Sequence, residues 1–207
     1  MNFDLSKVGI EKGLQYECLT STINNGEKNT AAFAFKYLGE DKVFCRIFEG
    51  STTLKNIMET KKYVVNITQD PLLFTQSTLH TLTEDNYTDD EDIAILKNTG
   101  AYITVDVEKI EEKTPDDFPI KGDKNIYFIY GTIKDFVITD ENTQAFNRGL
   151  SALIECLVNF SRYKIVDNEK RKEYMDRLIE NERVIGRVSD EKTQQAISIL
   201  KSEYEKN

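Results

Sequence analysis

The fold is constrained most by six short β-forming segments that fill the N-terminal part of the chain with one predicted helix among them. They span residues 14–23, 29–37, 43–48, 63–68, 101–113 and 125–136. Between the first two, Asn24-Asn25-Gly26-Glu27 contains the Asn-Gly pair that favours a tight hairpin turn. Strands that follow one another without a regular strand–helix alternation predict an antiparallel barrel or a strongly bent sheet, and not a doubly wound fold.

The hydrophobic pattern changes to a helical period beyond residue 139. A set of apolar residues then recurs at helical spacing: Phe146, Leu150, Leu153, Ile154, Leu157 and Phe160. We predict helices over residues 142–163, 169–182 and 190–205, with Ser189 capping the last one. The chain is therefore expected to be an α+β protein, mainly β, with a barrel domain over residues 1–138. A helical region over residues 139–207 is expected to pack on the barrel or on a partner.

Composition and charge exclude several partners and settings. The net charge of -9 opposes binding to nucleic acid, because proteins that follow a phosphate backbone present dense basic faces. The sequence has no apolar run of membrane-spanning length, and its N-terminus lacks the apolar core of a signal peptide. Cys18, Cys45 and Cys156 are too few and too scattered for a disulfide framework. These features predict a soluble, cytoplasmic protein that binds neither nucleic acid nor membrane.

The sequence also excludes most intrinsic catalytic chemistry. His80 is the only histidine, and no Cys-x-x-Cys pair is present, so no metal site is predicted. A serine or cysteine triad would have to use this one histidine, which lies in an irregular region without a nucleophile elbow. Neither a Walker loop nor a Gly-x-Gly-x-x-Gly fingerprint occurs. The catalytic residues, if the protein is an enzyme, are not identified.

The join between the third strand and the predicted helix combines residue types that bind phosphate. Strand alternation places Arg46 between Phe44 and Phe48 on one side of the strand, so its guanidinium is expected to be partly desolvated. A partly buried positive charge needs an anion nearby to offset the cost of desolvation. After Gly50, three consecutive hydroxyls and Lys55 follow at the start of the helix: Ser51, Thr52 and Thr53. The first helical turn adds free N–H groups and a positive dipole end. This pattern predicts a cradle for a phosphate monoester.

A simpler interpretation of the same residues stays open. Ser51 or Thr52 can be an N-cap without further role, Lys55 a solvated lysine, and Arg46 the partner of Glu49 or another carboxylate. A phosphate cradle in a chain with little catalytic equipment of its own nevertheless suits a protein whose chemistry belongs to a bound cofactor.

Several motifs, in their order and spacing, resemble those of a known family. They are Thr20-Ser21-Thr22, Asn29-Thr30-Ala31-Ala32, Arg46, the run from Gly50 to Asn56, and Asn66-Ile67-Thr68-Gln69-Asp70-Pro71. Together they resemble the flavin-reductase-like FMN-binding split barrels, and most closely an archaeal branch with a helical C-terminal extension. The resemblance covers residues 14–70 well and the helical end in outline.

The resemblance implies FMN as cofactor and a set of binding residues. Its phosphate would be held by Arg46, Gly50, Ser51, Thr52 or Thr53, and Lys55 or Asn56. The isoalloxazine ring would lie against the main chain of the first strands at a homodimer interface. The matching positions there are Thr20, Ser21, Thr22, Ala31 and Ala32, with Asn66 at the flavin edge or an adjoining loop.

The function implied is a flavin-reductase-like oxidoreductase that accepts electrons from a nicotinamide or another small donor. Three alternatives stay open: a non-catalytic flavin carrier or electron-transfer protein, a binder of another phosphorylated small molecule, and an interaction protein. The sequence contains no dedicated nicotinamide site, so FMN binding is the stronger expectation.

Overall fold

The computed structural model describes residues 3–117 and 124–206. It divides into two compact units, Met1–Phe146 and Asn147–Asn207. Pro115 and Pro119 stand between the last two predicted strands, as expected of residues that mark a loop, and Pro119 lies outside the described residues. Pro115 begins a short 3₁₀ turn, Pro115–Asp117, directly after the fifth strand.

In the described residues of the first unit, six antiparallel strands close into a barrel, which confirms the predicted fold class. They are β1 (Gln15–Asn24), β2 (Glu27–Gly39), β3 (Lys42–Phe48), β4 (Lys62–Ile67), β5 (Ala101–Lys113) and β6 (Ile126–Ile138). Around the barrel their order is β1-β2-β3-β6-β5-β4. The hairpin from β1 to β2 turns at Asn25 and Gly26, whose φ angles of 51° and 80° are those of the predicted tight turn.

The barrel is filled by alternate side chains of its strands. On β3, Val43, Cys45 and Ile47 are buried in the core together with Phe35 and Ile129. Phe44, Arg46 and Phe48 are more exposed and lie on the other side of the strand, as the two-residue period predicts. Burying these apolar side chains is the main driving force for closing the barrel.

Two helices follow β3 and β4. Helix α1 (Thr52–Thr60) has Ser51 as its N-cap, as predicted, and helix α2 (Pro71–Thr78) is capped by Asp70, with Pro71 in the first turn. A second apolar cluster lies outside the barrel core and joins β1 to α2 and to the segment before β5. It consists of Leu19, Leu73, Tyr87, Ala94 and Leu96. The region between β4 and β5 therefore covers part of the sheet.

The second unit contains helices α3 (Gly149–Arg162), α4 (Asn168–Val188) and α5 (Glu191–Glu205). Its core includes Leu153, Cys156, Leu178 and Ile197. No helix in the described part of the chain is long and apolar enough to cross a membrane.

Two predictions for this region were wrong. Helix α3 begins at Gly149 and not at residue 142, because the preceding residues bond to the first unit. Ala145 N donates to Val8 O at 2.8 Å, and Glu17 N donates to Phe146 O at 2.8 Å. Ser189 ends α4 and does not cap α5. Asp190, one residue later, caps α5 by accepting from Thr193 N at 2.7 Å.

Candidate functional site

The join between β3 and α1 forms an anion-binding geometry. Gly50 has a φ of 90°, a conformation that favours glycine, and Ser51 Oγ accepts from Leu54 N at 3.1 Å. The N–H groups of Thr52 and Thr53 belong to the first turn, so they have no partner within the helix. The positive end of the helix and these donors are suited to a negatively charged group.

Two of the predicted binding residues, Thr53 and Asn56, attach α1 to the sheet, and their contact with a ligand stays a prediction. Thr53 Oγ1 accepts from Asn29 Nδ2 at 2.8 Å, and Asn56 Nδ2 donates to Thr22 Oγ1 at 3.0 Å. All three side chains on α1 and β1, those of Thr53, Asn56 and Thr22, are at least 95% buried. Their hydrogen bonds fix the direction of the helix relative to the strands.

Thr52 and Lys55, on the exposed side of the same helix, line a pocket of about 450 Å³. Its other wall is the turn between β1 and β2. The remaining lining residues are Asn24, Asn25, Glu27, Lys28, Asn29 and Asn56. Sequence analysis named Asn56 as a candidate phosphate-binding residue but not Asn24 and Asn25, because an Asn-Gly turn accounts for those two without any further role.

Sequence analysis also did not identify a second lysine near the join between β3 and α1. Lys124 Nζ lies 3.7 Å from the position that a Cβ atom on Gly50 would occupy. The two segments are held together because Glu49 N donates to Asn125 O at 2.9 Å and Asn125 N donates to Glu49 Oε2 at 3.2 Å. Lys124 comes shortly before β6, and it lies near β3 only because β6 pairs with β3 in the barrel. No local sequence pattern indicates this pairing.

Arg46 lies on β3 opposite Phe128 of β6. Burial lowers the pKa of its guanidinium, while the Glu17 carboxylate acts in the opposite direction. In the simpler interpretation of the sequence, Arg46 is the partner of a carboxylate, and Glu17 is a carboxylate that acts on it. A role for Arg46 in holding phosphate stays a prediction.

Ser21 and Asn66 belong to a buried polar network. Asn66 Nδ2 donates to Ser21 Oγ at 2.7 Å and to Leu19 O at 3.1 Å, while Asn66 Oδ1 accepts from Leu96 N at 2.9 Å. Thr30 Oγ1 lies 2.7 Å from Ser21 Oγ and 2.8 Å from the Tyr87 hydroxyl. Burial raises the pKa of Tyr87, which therefore stays protonated and available as a donor.

Thr20 and Ala31 are directly paired across β1 and β2, as are Leu19 and Ala32. Thr20 is buried, whereas both alanines are partly exposed. The small side chains leave the main chain of β2 approachable by a flat group. Contact of this segment with a flavin ring stays a prediction.

Two of the cysteines are deeply buried. Burial raises the pKa of Cys18 and raises that of Cys45 to about 12, so neither thiol is a ready nucleophile. Within residues 3–117 and 124–206, no cluster of histidine, cysteine or carboxylate side chains is arranged to hold a metal ion.

The closed antiparallel barrel, with a helix after its third strand and a helical unit after the barrel, has the α+β split-barrel fold. The chain belongs to the family described as "Protein of unknown function (DUF447)". The model of the family's N-terminal domain matches residues 16–140, and that of its C-terminal part matches residues 147–202.

Several solved structures are similar to this chain. An FMN-bound protein of the same family from Methanosarcina mazei is 22% identical, with 96% of this chain and 99% of that chain covered and a TM-score of 0.54. Flavoredoxin from Methanosarcina acetivorans is 14% identical over 63% of this chain and 72% of its own, with a TM-score of 0.48. The styrene monooxygenase flavin reductase from Pseudomonas putida S12 is 10% identical over 68% and 86%, with a TM-score of 0.49.

Proposed function

We propose that this protein binds FMN without a covalent bond and holds the FMN phosphate at the start of α1. The observation that carries the proposal is the Ser51-capped helix terminus, where Thr52 and Lys55 line a pocket of about 450 Å³. The FMN-bound protein from Methanosarcina mazei, which shares the fold over almost the whole chain, supports the choice of ligand.

The donor set fits a phosphate dianion. The Thr52 and Thr53 N–H groups and the Thr52 hydroxyl supply neutral donors, and Lys55 and Lys124 supply positive charge. Hydrogen bonds to a charged group are stronger than those between neutral groups. Ser51 Oγ accepts from Leu54 N and so shapes the terminus, and its O–H group can still donate to the phosphate.

The flavin ring is proposed to lie against the main chain of β1 and β2, near Thr20 and Ala31. Ser21 and Asn66 make their hydrogen bonds within the protein. They would therefore hold the main chain of β1 and β2 in place and would not contact the flavin ring themselves. We propose further that two copies of the chain form the complete site.

When bound, FMN supplies electron and hydride transfer chemistry that no protein side chain provides. We therefore propose a flavin-reductase-like oxidoreductase with a nicotinamide donor. The residues of the chain bind and orient the cofactor and exclude water from it. A flavin carrier or electron-transfer protein is the second candidate, because binding FMN does not itself require a nicotinamide site.

Comparing FMN with riboflavin tests the phosphate site, because the two differ by the phosphate alone. We expect Lys55→Gln to weaken FMN binding about tenfold, since one charge-assisted contact contributes about 1.5 kcal/mol. Riboflavin binding should not change. Lys192→Gln on α5 is the matched control and should leave both affinities unchanged. Equal weakening of both ligands by Lys55→Gln would place the phosphate elsewhere.

Two further measurements separate the finer claims. Anaerobic addition of NADH or NADPH should bleach the bound flavin of a reductase, whereas a carrier would show no reduction by either dinucleotide. Sedimentation equilibrium should give a mass of two chains. A flavin-replete monomer would rule out the shared site.

A further inference from the structure

The segment over residues 86–97, which we call the strap, is a short closed hairpin on the outside of the barrel. Thr88 N donates to Ile95 O at 2.9 Å, and Lys97 N donates to Asn86 O at 2.8 Å. Tyr87 and Leu96 form an isolated antiparallel bridge between these bonds. The strap therefore has a defined base, residues 86–88 and 94–97, and a tip, residues 89–93.

The base of the strap is firmly attached. Tyr87, Ala94 and Leu96 are at least 97% buried in the second apolar cluster described above, which lies outside the barrel core. The Tyr87 hydroxyl bonds to Thr30, and Leu96 N donates to Asn66 Oδ1. Lys28 Nζ donates to Thr88 O at 3.1 Å. Buried polar contacts of this kind hold a segment in one position, since opening it would leave them unpaired.

The tip has little to hold it against the barrel. Asp89, Asp90, Glu91 and Asp92 are all exposed, and the four adjacent negative charges repel one another. Asp90 Oδ1 accepts from Asp92 N at 2.9 Å and from Ile93 N at 3.0 Å, so the turn is ordered within itself. The Lys97–Asp89 pair, at 4.0 Å and exposed, contributes little.

A depression lies on each side of the tip. One, of about 580 Å³, is lined by Thr88, Asp89 and Glu91. The other, a groove of about 510 Å³, is lined by Asp92, Ile93 and Ala94 on the strap. Its opposite wall consists of residues from β1, β4, β5 and β6 and the end of α1: Ser21, Thr22, Ile23, Thr60, Lys62, Tyr63, Val64, Thr104, Val105, Asp106, Lys134 and Asp135.

The groove has the composition of a small-molecule site. Val64 and Ile23 give it apolar surface, while Lys62 and the ion pair of Lys134 with Asp106, at 3.3 Å, lie among the polar lining residues. An apolar surface with a few polar groups suits a flat, mainly apolar molecule with a polar edge.

We propose that the tip of the strap is a hinged cover over this groove, which turns on the fixed base and admits a flat, mainly apolar small molecule. The proposal goes beyond FMN binding, although Ser21 and Thr22 in the groove wall also belong to the segment that the resemblance assigns to the flavin ring. It is tested on the full chain as purified.

Hydrogen exchange tests the hinge. We expect the amides of residues 89–91 to exchange at least tenfold faster than those of Thr88, Leu96 and Lys97, whose N–H groups are hydrogen-bonded. A single common rate for tip and base would overturn the proposal, because the strap would then open as one body.

Thiol labelling tests access to the groove. Val64→Cys places a thiol in the groove lining, and Val43→Cys places one in the barrel core, while the three native cysteines are buried. We expect a maleimide to label the first variant at least tenfold faster than the second. Equal rates would mean that Val64 becomes accessible through global unfolding alone, which contradicts a cover.

Three substitutions test whether the strap moves at its tip or at its base. On the Val64→Cys background, Asp90→Ala should raise the labelling rate several-fold because it removes two hydrogen bonds of the tip. Glu91→Ala removes the same charge without those bonds and should have less effect. Tyr87→Phe weakens the base and should change the rate less than twofold. A larger effect for Tyr87→Phe than for Asp90→Ala would place the motion in the base and overturn the hinge.

The ligand class is tested with 2-naphthol, a flat apolar molecule with one hydroxyl. Saturating 2-naphthol should slow labelling of Val64→Cys and leave labelling of Val43→Cys unchanged. An unchanged rate for Val64→Cys would exclude this class of ligand from the groove.

Discussion

The side chain of Asn66 joins two strands and the strap, because its amide nitrogen lies 2.7 Å from Ser21 Oγ while its oxygen accepts from Leu96 N at 2.9 Å. Asn66 is fully buried. Replacement by alanine would leave the Leu96 N–H and the Leu19 carbonyl without this partner. Asn66→Ala is expected to lower the free energy of unfolding by about 2–4 kcal/mol.

Asn66→Asp should destabilise the protein further, since a buried carboxylate would face the Leu19 carbonyl. Urea unfolding measures both changes. Asn142→Ala, at an exposed position, is the control and should stay within about 0.5 kcal/mol of the parent. A small effect of Asn66→Ala would show that the network adapts to the loss.

Two adjacent threonines are expected to separate stability from ligand binding. Thr53→Val removes the acceptor of Asn29 Nδ2 and should cost about 1–2 kcal/mol in urea unfolding. Thr52→Val alters an exposed hydroxyl in the proposed phosphate pocket, so its stability should change by less than about 0.5 kcal/mol. FMN titration of Thr52→Val should show weaker binding. The reverse pattern would contradict the assignment of Thr52 to the ligand and Thr53 to the fold.

The residue that ends α1 offers a stabilising change. Lys61 has φ 57° and ψ 26°, a left-handed conformation that costs a side chain about 1 kcal/mol relative to glycine. Lys61→Gly is therefore expected to raise the free energy of unfolding by up to about 1 kcal/mol. Differential scanning calorimetry would measure the change, and Lys62→Gly, in β4, should show no gain.

Stability should decrease in alkaline solution because of the Cys45 thiol. Burial raises its folded-state pKa from 9.0 to about 12, so the unfolded chain loses this proton first as the pH rises. The contribution is complete below pH 9 and is lost between pH 9 and about 12. In that range, Cys45→Ala should reduce the slope of unfolding free energy against pH by up to about 1.4 kcal/mol per unit. An unchanged slope would assign the alkaline loss to other groups.

Features that depend on adjacent residues were predictable from sequence. The Asn25-Gly26 turn and the Ser51 cap follow from the backbone preferences of single residues, and strand alternation placed Cys45 inside and Arg46 outside. Within the candidate site, Thr52 and Lys55 were found because they adjoin this cap.

Features that depend on contacts between distant segments were not predictable. Phe146 has helical spacing with Leu150, yet its carbonyl bonds to β1, so the helix starts later. Tyr87 stands alone in a polar stretch, and its bond to Thr30 exists only because the strap folds over the sheet. Lys124 reaches Gly50 for a similar reason, since β6 pairs with β3.

The pairing that closes the barrel, between β1 and β4, extends from Leu19 to Ser21, whereas β5 and β6 pair from Ala101 to Lys113. The short pairing is where the cylinder would first part under thermal stress. Once parted, it would become an open sheet with two bare edges, each able to recruit a strand from another molecule. The hydrogen bond between Asn66 and Ser21 reinforces this joint. We therefore expect that loss of the Asn66 side chain would favour aggregation of the protein.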